Sequence, residues 1–149
     1  MQHSTFIMLK PDAIERHLTQ DILKIFKDQG YEITRQSDVI VDEPLILKHY
    51  ESVIAKVNQA WFEKAIIDMF VGHHVYIYEI TKKTKHIIEE VRELVGATDP
   101  IKADKNSIRG RYMDDSLEKA LLEKRFLRNI IHASDSIESA QKEMKLWFK

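Results

Sequence analysis

Two short apolar runs constrain the fold of this chain more than any other feature. Residues 4–10 (STFIMLK) and 74–80 (HVYIYEI) both read as strands, the second being the clearer because it is dense in β-branched and aromatic residues. Pro11 cannot continue a central strand, so Lys10 is left at a strand's C-terminal end, a common place for functional groups. Elsewhere the apolar residues recur at helical spacing. Residues 19–29 put Ile22, Leu23, Ile25 and Phe26 on one face, and Gly30 suits the cap beyond them. A strand over 31–41 follows. Asp42 and Pro44 then open a helix over 45–57, and a shorter helix spans 60–70. Residues 84–95 read as a helix closed by Gly96, 101–112 as loop, and 115–125 as a helix with Asp115 as N-cap and Glu118 as its capping-box partner. The order β α β α α β α, loop, helix, β α does not alternate strictly. It favours an α+β fold, an antiparallel sheet covered by helices on the ferredoxin-like (split βαβ) plan, over a doubly wound parallel sheet.

Composition narrows the function classes. A chain of 149 residues, 44% hydrophobic and 32% charged, is expected to form one domain over 1–149 with a real core. The net charge of −1 supplies no general drive toward nucleic acid or anionic membranes. Without cysteine there is no disulfide, thiolate metal site or thiol nucleophile. No apolar run approaches a membrane span and the first apolar run is too short for a signal peptide, so a cytoplasmic protein is expected. His73 and His74 are strand neighbours that point to opposite faces, which argues against a shared metal ion.

One stretch concentrates chemical possibilities. Ile130 and Ile131 deliver His132, and Ser134-Asp135-Ser136-Ile137-Glu138 follows as a helix start, with Asp135 read as N-cap and Glu138 as its partner. An imidazole beside a helix N-terminus is placed to meet a phosphate. Alone, such a histidine is most often an ordinary surface or satisfied side chain.

Five segments occur in an order that resembles the nucleoside diphosphate kinase family. They are Thr5-Phe6-Ile7-Met8-Leu9-Lys10-Pro11-Asp12, Gly96-Ala97-Thr98-Asp99-Pro100, Ser107-Ile108-Arg109-Gly110, the run from Asn129 to Ser136, and the closing Glu138-Ser139-Ala140 with Glu143 and Leu146-Trp147-Phe148. The resemblance covers nearly the whole chain. It implies transfer of a γ-phosphoryl group from a nucleoside triphosphate to a nucleoside diphosphate, ping-pong through a phosphohistidine, with Mg²⁺ held by the nucleotide phosphates and not directly by protein. ATP, ADP, GDP and other nucleotides would be the partners, in a homo-oligomer built from dimers, with no membrane or specific nucleic acid involved. By motif, His132 would be the nucleophile, Glu143 would hold its other ring nitrogen, and Ser134 would support Glu143. Lys10 and Tyr50 would stabilise the moving phosphoryl group; Arg92, Thr98 and Arg109 would hold phosphates. Asn129 would contact the sugar, and Trp61 or Phe62 would stack on the base.

These residue types suit the chemistry. Phosphoryl transfer depends on positioning and charge stabilisation, and a neutral histidine is nucleophilic near neutral pH. The chain departs from the family pattern in three ways. Nineteen residues separate Arg109 from Asn129, about ten more than the pattern, so the helix near 113–126 reads as an insertion. The stretch from Tyr50 to Trp61 is also slightly longer. Ala13 and Ala133 replace usual glycines and would be strained if those positions required positive φ. The competing readings are a regulatory module that binds nucleotide with catalysis slowed by the insertion, and, less favoured by the charge, a nucleic-acid binder.

Overall fold

Alternation in β1 (His3–Leu9) explains the layering. Ile7 and Leu9 pack on one face, Phe6 and Met8 on the other, and all four are fully buried. A strand buried on both sides must lie inside a covered sheet. The structure, a computed structural model describing residues 2–148, has this form. β1 pairs antiparallel with β3 (His74–Lys82) on one side and with β4 (Ile131–Ala133) on the other. β2 (Glu32–Ile40) lies outside β3, giving the order β2-β3-β1-β4. β1 and β2 are therefore parallel with antiparallel β3 between them, the split βαβ plan expected.

Two apolar layers hold the helices to this sheet. On the Ile7 face lie α2 (Thr19–Asp28), through Ile22, Leu23 and Phe26, and α6 (Ile87–Val95), through Ile87, Ile88, Val91 and Val95. Each such side chain, once buried, contributes roughly 1.5–3 kcal/mol. The Phe6 face is covered by α3 (Glu43–His49), α5 (Ala60–Phe70) and α9 (Ile137–Trp147), through Ile46, Ile66, Phe70 and Trp147.

Several local expectations are corrected. The turn at Pro11 winds into a short helix, α1 (Pro11–Glu15). The 45–57 helix is broken at Tyr50 into α3 and α4 (Glu51–Val57), where the tyrosine ring packs between Phe70 and Phe126. α6 begins at Ile87 because Thr84 ties the preceding residues into a turn, donating to Glu90 and accepting the His86 N–H. The loop at 101–112 contains α7 (Ile108–Arg111), capped by the Ser107 hydroxyl. α9 is capped by Ser136, which accepts the Ser139 N–H at 2.9 Å, and not by Asp135. Ala13 and Ala133 lie outside the positive-φ region, so the missing glycines cause no strain.

The inserted helix is α8 (Leu117–Glu123), and its cap is Ser116, not Asp115. Asp115 is instead the segment's anchor. Its carboxylate takes two 2.7 Å bonds from Arg125 and a 2.9 Å bond from the Arg128 N–H. Burial alone would raise its pKa, but these donors outweigh burial and hold it at about 2. On α8 Ala120 is buried, while Leu117, Leu121 and Leu122 are exposed. Asp115→Ala leaves the Arg128 N–H without its acceptor and Arg125 with the Glu123 carboxylate as its remaining ion-pair partner. It should cost about 2–3 kcal/mol by chemical denaturation. In the parent, the Asp115 contribution is present above the ordinary aspartate pKa and is lost as pH falls through about 2.

Candidate active site

The site is built where β1 and β4 end together. The Lys10 N–H donates to the Ile130 carbonyl at 2.9 Å, and the Asp12 carboxylate accepts the Ile130 N–H at 3.0 Å. Both backbone groups of Ile130 are thereby satisfied in a left-handed conformation, φ +62°. That conformation costs a β-branched residue on the order of 1–3 kcal/mol. The bend turns Ile131 and His132 into β4, with His132 opposite Met8.

His132 then meets the returning α9. Its Nε2 lies 2.8 Å from Glu143 Oε1, and the Ser134 hydroxyl donates to the same oxygen at 2.6 Å. A carboxylate facing Nε2 favours the tautomer that carries its proton there and leaves Nδ1 with a free lone pair. Among the described residues Nδ1 has no hydrogen-bond partner.

Cations gather beside this imidazole. Lys10 is buried, and its Nζ donates to Asn129 Oδ1 at 2.6 Å; the Asn129 amide donates in turn to the Thr98 carbonyl at 2.9 Å. Burial and the neighbouring Arg109 charge push the Lys10 pKa down to about 7, against a smaller opposing effect of Asp12. Arg109 donates to the carbonyls of Gly96, Asn129 and Ile131, which fixes its guanidinium and leaves further N–H groups for a ligand. Burial lowers its pKa to about 10, so it remains charged near neutral pH. The Tyr50 hydroxyl is buried without a partner, and burial keeps its proton on. The position of Gly96 also matters, because a Cβ there would collide with the Ser107 hydroxyl.

A cavity of about 450 Å³ joins these groups. Lys10, Tyr50, Arg92, Thr98, Arg109, Asn129, His132 and Glu143 all line it, as do Trp61 and Phe62 farther along. Ser134 supports Glu143 from behind. Asn129, expected on a sugar, has both amide ends bonded to protein and orients Lys10. The sequence reading missed His49, whose ring lies 4.5 Å from that of His132, nearly perpendicular, and which accepts a 3.0 Å bond from Trp147 Nε1. It also missed Phe126, which lies 5.1 Å from the Lys10 ammonium. Neither carries a motif signal, and only the fold brings them in. His74 bonds Asp38 and not a neighbouring histidine. Ligand atoms of His49, His132 and Glu143 lie within 4.8 Å of one another, a nitrogen-rich set unsuited to Mg²⁺, which prefers oxygen. Of the cavity's carboxylates Glu143 is already engaged, leaving Asp135. Mg²⁺ therefore fits as an ion carried by phosphate oxygens.

A polyphosphate bound here favours charged Lys10 and raises its pKa. Binding of tripolyphosphate about one pH unit above the free value should take up close to one proton, and well below that value none. Calorimetry in two buffers of different ionisation enthalpy reads the difference, and Lys10→Met should abolish it. Buffer-independent heats in the parent would contradict the assigned charge state.

Known proteins carry the same pattern. Residues 3–149 match the family model described as nucleoside diphosphate kinase. The nucleoside diphosphate kinase of Methanothermobacter thermautotrophicus is 38% identical over 144 residues, 97% of this chain and 85% of the relative. Nucleoside diphosphate kinase 1 of Glycine max is 33% identical over 148 residues, 99% of this chain and 89% of the relative. A structure described as a transition-state mimic of the Borrelia burgdorferi enzyme with bound vanadate and ADP superposes with a TM-score of 0.91 at 30% identity, covering 99% of this chain and 88% of that one. The NDP kinase of Pyrobaculum aerophilum gives 0.85 at 27% identity, covering 100% and 97%. With the fold and the match in agreement from end to end, the chain belongs to the nucleoside diphosphate kinase family, phosphotransferases that pass a γ-phosphoryl group from a nucleoside triphosphate to a nucleoside diphosphate through a phosphohistidine.

Proposed function

We propose that His132 is the residue that carries the phosphoryl group in this chain and that Nδ1 is the attacking atom. The observation that carries this reading is the 2.8 Å contact between His132 Nε2 and Glu143, which leaves Nδ1 unpartnered in a cavity lined with cations. In the first half-reaction the Nδ1 lone pair forms a bond to the γ-phosphorus of the donor. The bond from that phosphorus to the bridging oxygen breaks, and its electron pair leaves with the nucleoside diphosphate. The ring becomes cationic, and Glu143 offsets that charge at Nε2. The acceptor diphosphate then attacks the same phosphorus and restores neutral His132.

Lys10 supplies a positive charge and Tyr50 a hydroxyl to the moving phosphoryl oxygens. Arg92, Thr98 and Arg109 hold the remaining phosphates, with Arg109 prealigned by its three carbonyls. Asn129 positions Lys10 and lies where a sugar hydroxyl can share its amide. Trp61 or Phe62 offers a stacking face for the base, which suits broad base tolerance. Mg²⁺ travels with the nucleotide phosphates and offsets their charge. The exposed edge of β2 presents unpaired backbone groups that a second copy can pair, which supports a homo-oligomer built from dimers. No helix among the described residues is long and apolar enough to cross a membrane, and we place the protein in the cytoplasm as one domain over 1–149.

Intact-mass measurement after brief mixing with ATP and Mg²⁺ should show one phosphoryl adduct that disappears when GDP is added. His132→Ala should abolish the adduct while ADP binding persists. Glu143→Gln should slow adduct formation by about 10²–10³. ADP binding with no adduct in the parent would favour a regulatory module instead.

A further inference from the structure

Two leucines of the inserted segment add wall to the cavity and not core to the protein. Leu117 and Leu121 stand one helical turn apart on α8 and so share a face. Both line the cavity, yet they remain 40% and 52% exposed. On α4, Val53 and Val57 repeat the pattern, again lining the cavity, at 40% and 36%. Four large aliphatic side chains are thus held half-open in one cavity that carries Lys10, Arg92 and Arg109 elsewhere in its wall. Their setting is built and not incidental. Ala120 of the same helix is buried, and the Asp115–Arg125 pair fastens the two ends of the segment to each other. Leu122, 79% exposed, does not line the cavity.

A ligand that fits such a wall is anionic at one end and flat and apolar at the other. We propose that Leu117 and Leu121 of the inserted helix form part of the nucleobase-binding slot, working with Val53 and Val57 and adding to the stacking face of Trp61 and Phe62. This rests on the reading above that the cations of the cavity hold nucleotide phosphates. The segment that exceeds the family pattern is then a binding element for the base end of the nucleotide. Aliphatic walls make no hydrogen bonds to base edges, so the slot adds affinity for any base without selecting one.

Calorimetric binding of ADP and of tripolyphosphate to the full chain separates this proposal from the reading beneath it. Leu117→Ala with Leu121→Ala should weaken ADP about tenfold and leave tripolyphosphate unchanged. In turnover the KM for nucleotides should rise with kcat nearly constant. Replacing both leucines with methionine should restore ADP binding, and Leu122→Ala should have no effect. Parent-like ADP affinity in the double alanine variant, or equal loss of ADP and tripolyphosphate, would overturn the base-slot proposal alone. A parent chain that bound neither probe would instead overturn the phosphate-site reading, and the slot proposal with it.

Discussion

The structure depends on the junction at Ile130. Two chain segments separated by more than a hundred residues are tied there by the Lys10 N–H, which donates to the Ile130 carbonyl, and by the Ile130 N–H, which donates to the Asp12 carboxylate. The left-handed Ile130 is unfavourable in isolation, and the paired β1–β4 end and the Asp12 carboxylate hold it in place. The same junction sets the positions of Lys10, Asn129 and His132 relative to one another. Side chains brought together from distant segments need such a fixed point to hold a common geometry.

The electrostatics follow from burial at this junction. Lys10 and Arg109 are two buried cations close to one another, so burial and the Arg109 charge both disfavour the protonated form of Lys10. Without a ligand the lysine is therefore close to losing its proton. A bound polyanion would relieve both penalties, which supports the proposed phosphate site. Tyr50 contributes a neutral donor to the same space, since burial keeps its hydroxyl protonated.

Much of this was legible in the sequence, with clear physical limits. The strands over 4–10 and 74–80 and the helices with strong periodicity are read directly, because burial imposes their spacing. The role of Glu143 was suggested by resemblance, but its contact with His132 depends on how α9 packs against β1, which no local pattern encodes. The two caps were each displaced by one residue for the same kind of reason. In Asp115-Ser116 and Asp135-Ser136 either side chain can cap, and at the first pair the ion pair with Arg125 takes the aspartate and leaves the serine. The break at Tyr50 carries no glycine or proline to announce it, and it coincides with burial of an aromatic ring. His49 escaped notice because its neighbours Trp147 and His132 are remote in the chain. The spacing of Leu117 and Leu121 reports a shared face but not what covers it.

In the proposed mechanism Glu143 holds His132 as the Nε2-protonated tautomer, which leaves Nδ1 free to attack. Long-range ¹H–¹⁵N correlation spectra of the nucleotide-free protein, with nitrogen-labelled histidine, read that state directly. The expected result is a protonated Nε2 and an unprotonated Nδ1 for neutral His132, with the preference weakened in Glu143→Gln. A His132 ring protonated at Nδ1 in the parent protein would contradict it.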